Sequence, residues 1–92
     1  MSSYQQHCDE CRKQLGQDWG VVHHWLDEFF VKMGYHVRHR DIRHHKAGIE
    51  EVRKLWGDQA AEAARIHIEM DFNGWIPANS DEVQKWRIGL LP

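Results

Sequence analysis

The sequence predicts an all-α fold: a compact bundle of four main helices with a short fifth helix at the C-terminal end, assembled as a homo-oligomer. Two observations carry the helical part. Only two prolines occur, Pro77 and Pro92, so nothing before residue 77 forbids helix through a missing amide. The apolar residues recur at intervals of three and four rather than in alternation. A third observation, ten aromatic residues in a chain of 92, suggests that some apolar area lies between subunits.

The elements follow in order. Tyr4, Cys8, Cys11 and Leu15 form one helical stripe over 3–15, and Gly16 is a natural stop. Asp18 can cap a second helix in which Trp19, Val22, Leu26, Phe29, Phe30 and Met33 share a face, closed by Gly34. A third helix is expected over roughly 36–56, with Ile42, Ile49, Val52 and Trp56 on one side and Gly57 at its end. Asp58 can cap a fourth, alanine-rich helix that Asn73-Gly74 breaks. Ile76-Pro77 should be extended, because a residue before proline avoids helix. Asn79 with Glu82 resembles a capping box and opens the last short helix through Val83 and Trp86. There is no repeat and no linker, so residues 1–92 read as one domain.

No apolar run approaches the ~20 residues of a membrane span. The first residues, MSSYQQHCDE, lack the basic start and apolar core of a secretion signal, and a cytoplasmic protein is expected. In that compartment Cys8 and Cys11 are thiols on the apolar stripe, and one CxxC pair is at best half a zinc site. A net charge of −2 argues against a general nucleic-acid binder.

Charge is unevenly placed. Residues 36–46 read HVRHRDIRHHK, with Arg38, Arg40, Arg43 and Lys46 against the single acid Asp41, and they hold four of the eight histidines. Guanidinium groups recognise phosphate or carboxylate through paired hydrogen bonds. Imidazoles move protons near neutral pH or bind metals. Around a helix, Arg38 and His45 fall in the apolar sector beside Asp41, which allows two readings. One is an internal Arg38–Asp41–His45 network that anchors the helix. The other is a pocket walled by Arg38 and His45, with His39, Arg43, Arg40 and His44 divided between rim and solvent.

His67 and Asp71 stand one helical turn apart, a spacing that suits two ligands of one metal or an ordinary polar pair. His24 and Asp27 are three apart on the second helix. If the helices converge, His24, His45, His67 and Asp71 form a candidate set for zinc, manganese or iron. Trp25, Trp75 and Trp86 are not spent on a helix stripe and could stack a nucleobase.

These positions resemble an uncharacterised family of short bacterial and phage proteins marked by an HRxxRHHxxGI motif. The match runs through His24-Trp25-Leu26-Asp27, Arg38-His39-Arg40, Arg43-His44-His45 and Gly48-Ile49. It continues through Trp56-Gly57, His67, Asp71, Gly74, Ile76-Pro77 and Trp86. The resemblance implies that His24, Arg38, His39, Arg40, Arg43, His44, His45, His67 and Asp71 belong to one site. This chain departs from the pattern between Gly57 and His67, where relatives often carry a longer, strand-like insertion. Occurrence in phages suggests, by analogy, an anti-defence role in which a small protein sequesters or degrades a nucleotide signal.

Three functions are therefore expected. The first is binding of a small phosphate-bearing ligand, a nucleotide or cyclic nucleotide, with Arg38, Arg40 and Arg43 on phosphate, His39, His44 and His45 as donors, and Trp25 or Trp75 stacking. The second is phosphodiester or phosphate-ester hydrolysis, either by acid–base transfer among His39, His44 and His45 or through a metal. The third is a metal-binding or protein-interaction module whose basic helix meets an acidic surface.

Overall fold

The structure, a computed structural model, describes residues 3–29 and 40–90, with the backbone alone at 40 and 41. Every regular element among them is helical: α1 (Tyr4–Leu15), α2 (Gly20–Leu26), the single turn α3 (Arg40–Arg43), α4 (Lys46–Trp56), α5 (Asp58–Asp71) and α6 (Ser80–Arg87). No helix among these residues is long and apolar enough to cross a membrane.

Local chemistry sets most boundaries. Ser3 Oγ accepts from the Gln6 amide at 3.1 Å and Gln6 Oε1 accepts from the Ser3 amide at 2.7 Å, which closes a capping box at the start of α1. Gly16 ends that helix in the left-handed region at φ 82. Asp18 Oδ1 takes the Gly20 amide at 3.2 Å, yet the cap position of α2 belongs to Trp19, which adopts φ 56. Asn79 Oδ1 accepts from the Glu82 amide at 3.0 Å and opens α6, while Glu82 Oε1 reaches back one residue further than a capping box requires, to the Ala78 amide.

The third helix expected over 36–56 is not continuous. His44 and His45 leave the helical path and separate α3 from α4. His45 is extended at φ −156 and ψ 178, and its Nδ1 accepts from the Gly48 amide at 3.4 Å, starting a new helix. Gly48 permits the turn, since a Cβ there would overlap the Arg43 carbonyl oxygen. The Lys46 amide is drawn to the Pro77 carbonyl at 3.0 Å. The break moves Ile42 and Trp56 out of the expected core to 40% and 37% exposure, while Val52 stays fully buried. The expected run of the second helix through Phe30 and Met33 to Gly34 lies outside the described residues.

Helix α5 is the axis of the bundle and packs on α4, α1 and α2. Ala60, Ala61, Ala63 and Ala64 are all buried, and their small side chains let neighbouring helices approach closely. Cys11, Val22, Leu26, Val52, Ile68, Phe72 and Val83 complete the core around them. Full burial of side chains such as Leu26 and Ile68 stabilises the fold by ~1.5–3 kcal/mol each. The stripe Ala60–Ala64–His67–Asp71 follows helical spacing, so the packing that buries the alanines also carries His67 and Asp71 inside.

Candidate metal centre

Six polar side chains meet where α1, α2, α5 and the α3–α4 junction converge. His7 comes from α1 and His23 from α2, Asp27 follows the end of α2, His44 stands at the junction, and His67 and Asp71 come from α5. His7, His23, His44 and His67 are completely buried. The Asp71 side chain is 2% exposed and that of Asp27 is 33% exposed.

Four of these side chains point single atoms at a common centre. His44 Nε2 lies 3.2 Å from His67 Nε2, 3.3 Å from Asp27 Oδ1 and 3.2 Å from Asp71 Oδ2. His67 Nε2 lies 3.3 Å from Asp27 Oδ1 and 3.4 Å from Asp71 Oδ2. Five of the six edges of this tetrahedron thus fall between 3.2 and 3.4 Å. The sixth, between the two carboxylates, is under 4.8 Å. A regular tetrahedron around an ion with bonds of about 2.0–2.1 Å has edges of about 3.3–3.4 Å. An octahedral ion with the same bonds needs neighbouring ligands about 3.0 Å apart.

Around this tetrahedron stand two further imidazoles. His23 Nδ1 is 2.9 Å from His67 Nδ1, and His23 Nε2 is 2.9 Å from the Asp18 carbonyl oxygen. His7 stacks on His67 with ring centroids 3.6 Å apart and planes 13° from parallel, and its Nε2 is 3.4 Å from Asp71 Oδ1.

Burial and charge act against each other here. Burial holds the His44 imidazole below its ordinary pKa, despite the pull of Asp27 and Asp71. His67 is as deeply buried, but hydrogen bonds to Asp27 and Asp71 outweigh desolvation and leave its pKa raised. Burial favours the neutral form of Asp71, yet the imidazoles of His44, His67 and His7 beside it hold its carboxyl far below the usual range. Burial, reinforced by His67 and His7, pushes His23 down to about 4. Two carboxylates therefore share a pair of buried imidazoles, and buried charge on this scale is stable only when paired or bound to a metal.

The structure sorts the residues singled out in the sequence. His44, His67 and Asp71 come together. His24 does not join them; it is exposed and packs against Tyr4 at a centroid separation of 4.4 Å. His45 does not either, because its Nδ1 caps α4 and its ring lines a surface cavity. Arg43 Nη1 is 2.6 Å from both Glu28 Oε1 and the Trp25 carbonyl, and its guanidinium lies over Trp25 at 3.9 Å. Trp75 and Trp86 both pack edge-on against Phe72, in the core rather than at the site. Arg38 and His39 lie outside the described residues, as do the side chains of Arg40 and Asp41, and with them the expected Arg38–Asp41–His45 network. Cys8 and Cys11 are free buried thiols.

Four members of the cluster were not expected at a metal: His7, His23, Asp27 and His44, the last expected instead as a proton donor or acid–base group. A signal for two of them is present in the sequence. His23-x-x-x-Asp27 repeats the spacing of His67-x-x-x-Asp71, so the chain holds two His–Asp pairs one helical turn apart. His7 lies four residues before Cys11, at the edge of the buried stripe of α1, and nothing local distinguishes it from a core residue.

The family model described as "Domain of unknown function (DUF6915)" matches residues 1–89, and the chain belongs to that family. It matches no curated protein and no solved structure.

Proposed function

We propose that this chain is a metal-binding protein whose centre, Asp27–His44–His67–Asp71, holds one first-row divalent ion, zinc by preference. The observation that carries the reading is the set of five near-equal ligand distances, which matches tetrahedral zinc with nitrogen and oxygen donors. Two imidazoles disfavour calcium and magnesium, which prefer all-oxygen shells. An ion of charge +2 would neutralise the two carboxylates. With four protein ligands the coordination is closed, so the ion is a structural cross-link joining the end of α2, the α3–α4 junction and α5.

The experiment is a titration of chelator-stripped protein with Co²⁺ and Zn²⁺. The expected result is one ion per chain, intense visible cobalt absorption of tetrahedral type, and displacement of cobalt by zinc. No tight ion, or a weak octahedral cobalt spectrum, retires the proposal.

A second reading, metal-assisted phosphate-ester hydrolysis, rests on the unequal exposure of the two carboxylates. Asp27 is the ligand that solvent reaches, and its replacement by water would leave three protein ligands and an activated water. Absence of turnover of a simple phosphodiester by the zinc-, manganese- and iron-loaded protein sinks it. Binding of a phosphate-bearing ligand keeps one supporting observation, a cavity of about 530 Å³ lined by Trp25, Arg43, His45 and Glu51 among others. Its charge is less favourable, because Arg43 is engaged by Glu28 and Glu51 shares the lining.

A further inference from the structure

We infer that His23 and His7 are not ligands of a second ion but positioning residues that set the two α5 ligands. His23 would fix the tautomer of His67, and His7 would hold Asp71 to one oxygen. The inference rests on the metal reading above and deepens it.

His7, His23 and His67 lie close enough to suggest a second ion. Ring geometry argues against one. An imidazole nitrogen binds a metal along its lone pair, in the plane of the ring. The His7 and His67 planes are nearly parallel, 13° apart, with centroids 3.6 Å apart. An ion in one plane would stand well off the other, so the two rings do not converge on a shared ion. His67 would also have to surrender both ring protons to serve two ions.

The hydrogen-bond chain instead has a direction. The Asp18 carbonyl can only accept, so His23 Nε2 carries the proton and donates to it at 2.9 Å. His23 Nδ1 then offers a lone pair, and at 2.9 Å it accepts from His67 Nδ1–H. The proton of neutral His67 is thereby held on Nδ1, and Nε2 presents its lone pair to the centre formed with His44, Asp27 and Asp71. Buried partners of this kind fix the tautomer of metal-bound histidines. His7 does the parallel task for the carboxylate. Its Nε2 stands 3.4 Å from Asp71 Oδ1, not aligned as a hydrogen bond but close enough for an Nε2–H to attract that oxygen and leave Oδ2 for the ion, and its stacking on His67 fixes the ring that carries the neighbouring ligand.

The test is Co²⁺ titration, with zinc competition, of the full chain and three variants. In His23→Asn the side-chain oxygen takes the place of Nδ1 and can accept from His67. In His23→Leu the volume is kept without an acceptor. In His7→Phe the stack is kept without the nitrogen near Asp71. The expected outcome is one ion per chain in every protein, with affinity about 10–100-fold weaker in His23→Leu and His7→Phe. Affinity should be largely restored in His23→Asn, which a merely space-filling role for His23 would not produce. Wild-type affinity in both His23→Leu and His7→Phe overturns this inference and leaves the metal reading standing. Two tight ions per wild-type chain overturn it as well. No tight ion in the wild-type chain overturns the metal reading itself, and this inference with it.

Discussion

If a divalent ion cross-links three segments of so small a bundle, its removal must be felt in thermal unfolding. An ion that binds the folded chain alone, at a free concentration of 100 Kd, stabilises it by about 2.7 kcal/mol. For 92 residues the unfolding entropy is about 0.19 kcal/mol/K, from ~2.1 cal/mol/K per residue. The ratio predicts that returning zinc to chelator-stripped protein raises the unfolding temperature by about 14 °C. Asp71→Asn replaces a buried anionic ligand with a neutral amide. If that weakens binding 100-fold, the same zinc concentration contributes about 0.4 kcal/mol, and the increment shrinks to about 2 °C. Circular dichroism melts across a zinc series, with and without chelator, measure both numbers. An unfolding temperature indifferent to chelator and to zinc, cobalt, iron and manganese alike refutes the reasoning, because ligands this buried cannot bind an ion without coupling it to folding.

Three further outcomes are expected. Gly48→Ala, which forces a methyl group into the Arg43 carbonyl, should lower the midpoint of urea unfolding by the equivalent of about 2 kcal/mol or more; an unchanged midpoint would mean that the α3–α4 turn is not constrained there. In the presence of chelator, stability should peak near pH 6.5. Below that pH the unfolded chain protonates imidazoles that His44 and His23, the latter at about 4, keep neutral in the fold, so stability falls as pH drops. Above it the fold retains a proton on His67 that the unfolded chain has lost, so stability falls as pH rises. Urea midpoints at a series of pH values measure the curve, and a monotonic profile from pH 4.5 to 8.5 contradicts this account. Cys11 is fully buried, and burial pushes its thiol up to about 12, while Cys8 is 3% exposed. Both should react with an aromatic disulfide reagent only on unfolding, and rapid labelling of native protein would show that α1 opens.

The helices were legible because their signals are local. The Tyr4-to-Leu15 stripe, the Gly16 stop, the alanine run of α5 and the Asn79 cap act within one or two turns of chain. The break at His44–His45 was not legible, because continuous apolar spacing across 42–56 conceals it. Its causes are a cap made by His45 itself, a close approach of Gly48 to the Arg43 carbonyl, and a hydrogen bond from Lys46 to Pro77 thirty-one residues away.

His67 and Asp71 were visible as a pair because one helical turn separates them. Their partners were not, since Asp27, His44, His23 and His7 come from other segments and their spacing along the chain says nothing about where their tips meet. His24 and His23 are neighbours in sequence, and the hundred-degree step between adjacent helical residues sends one to solvent and the other into the core. The sequence alone determined that this chain is helical and rich in groups able to hold a proton, an anion or a metal. Tertiary packing alone decided which of those groups face one another, because coordination depends on angles and distances between helices that no single helix encodes.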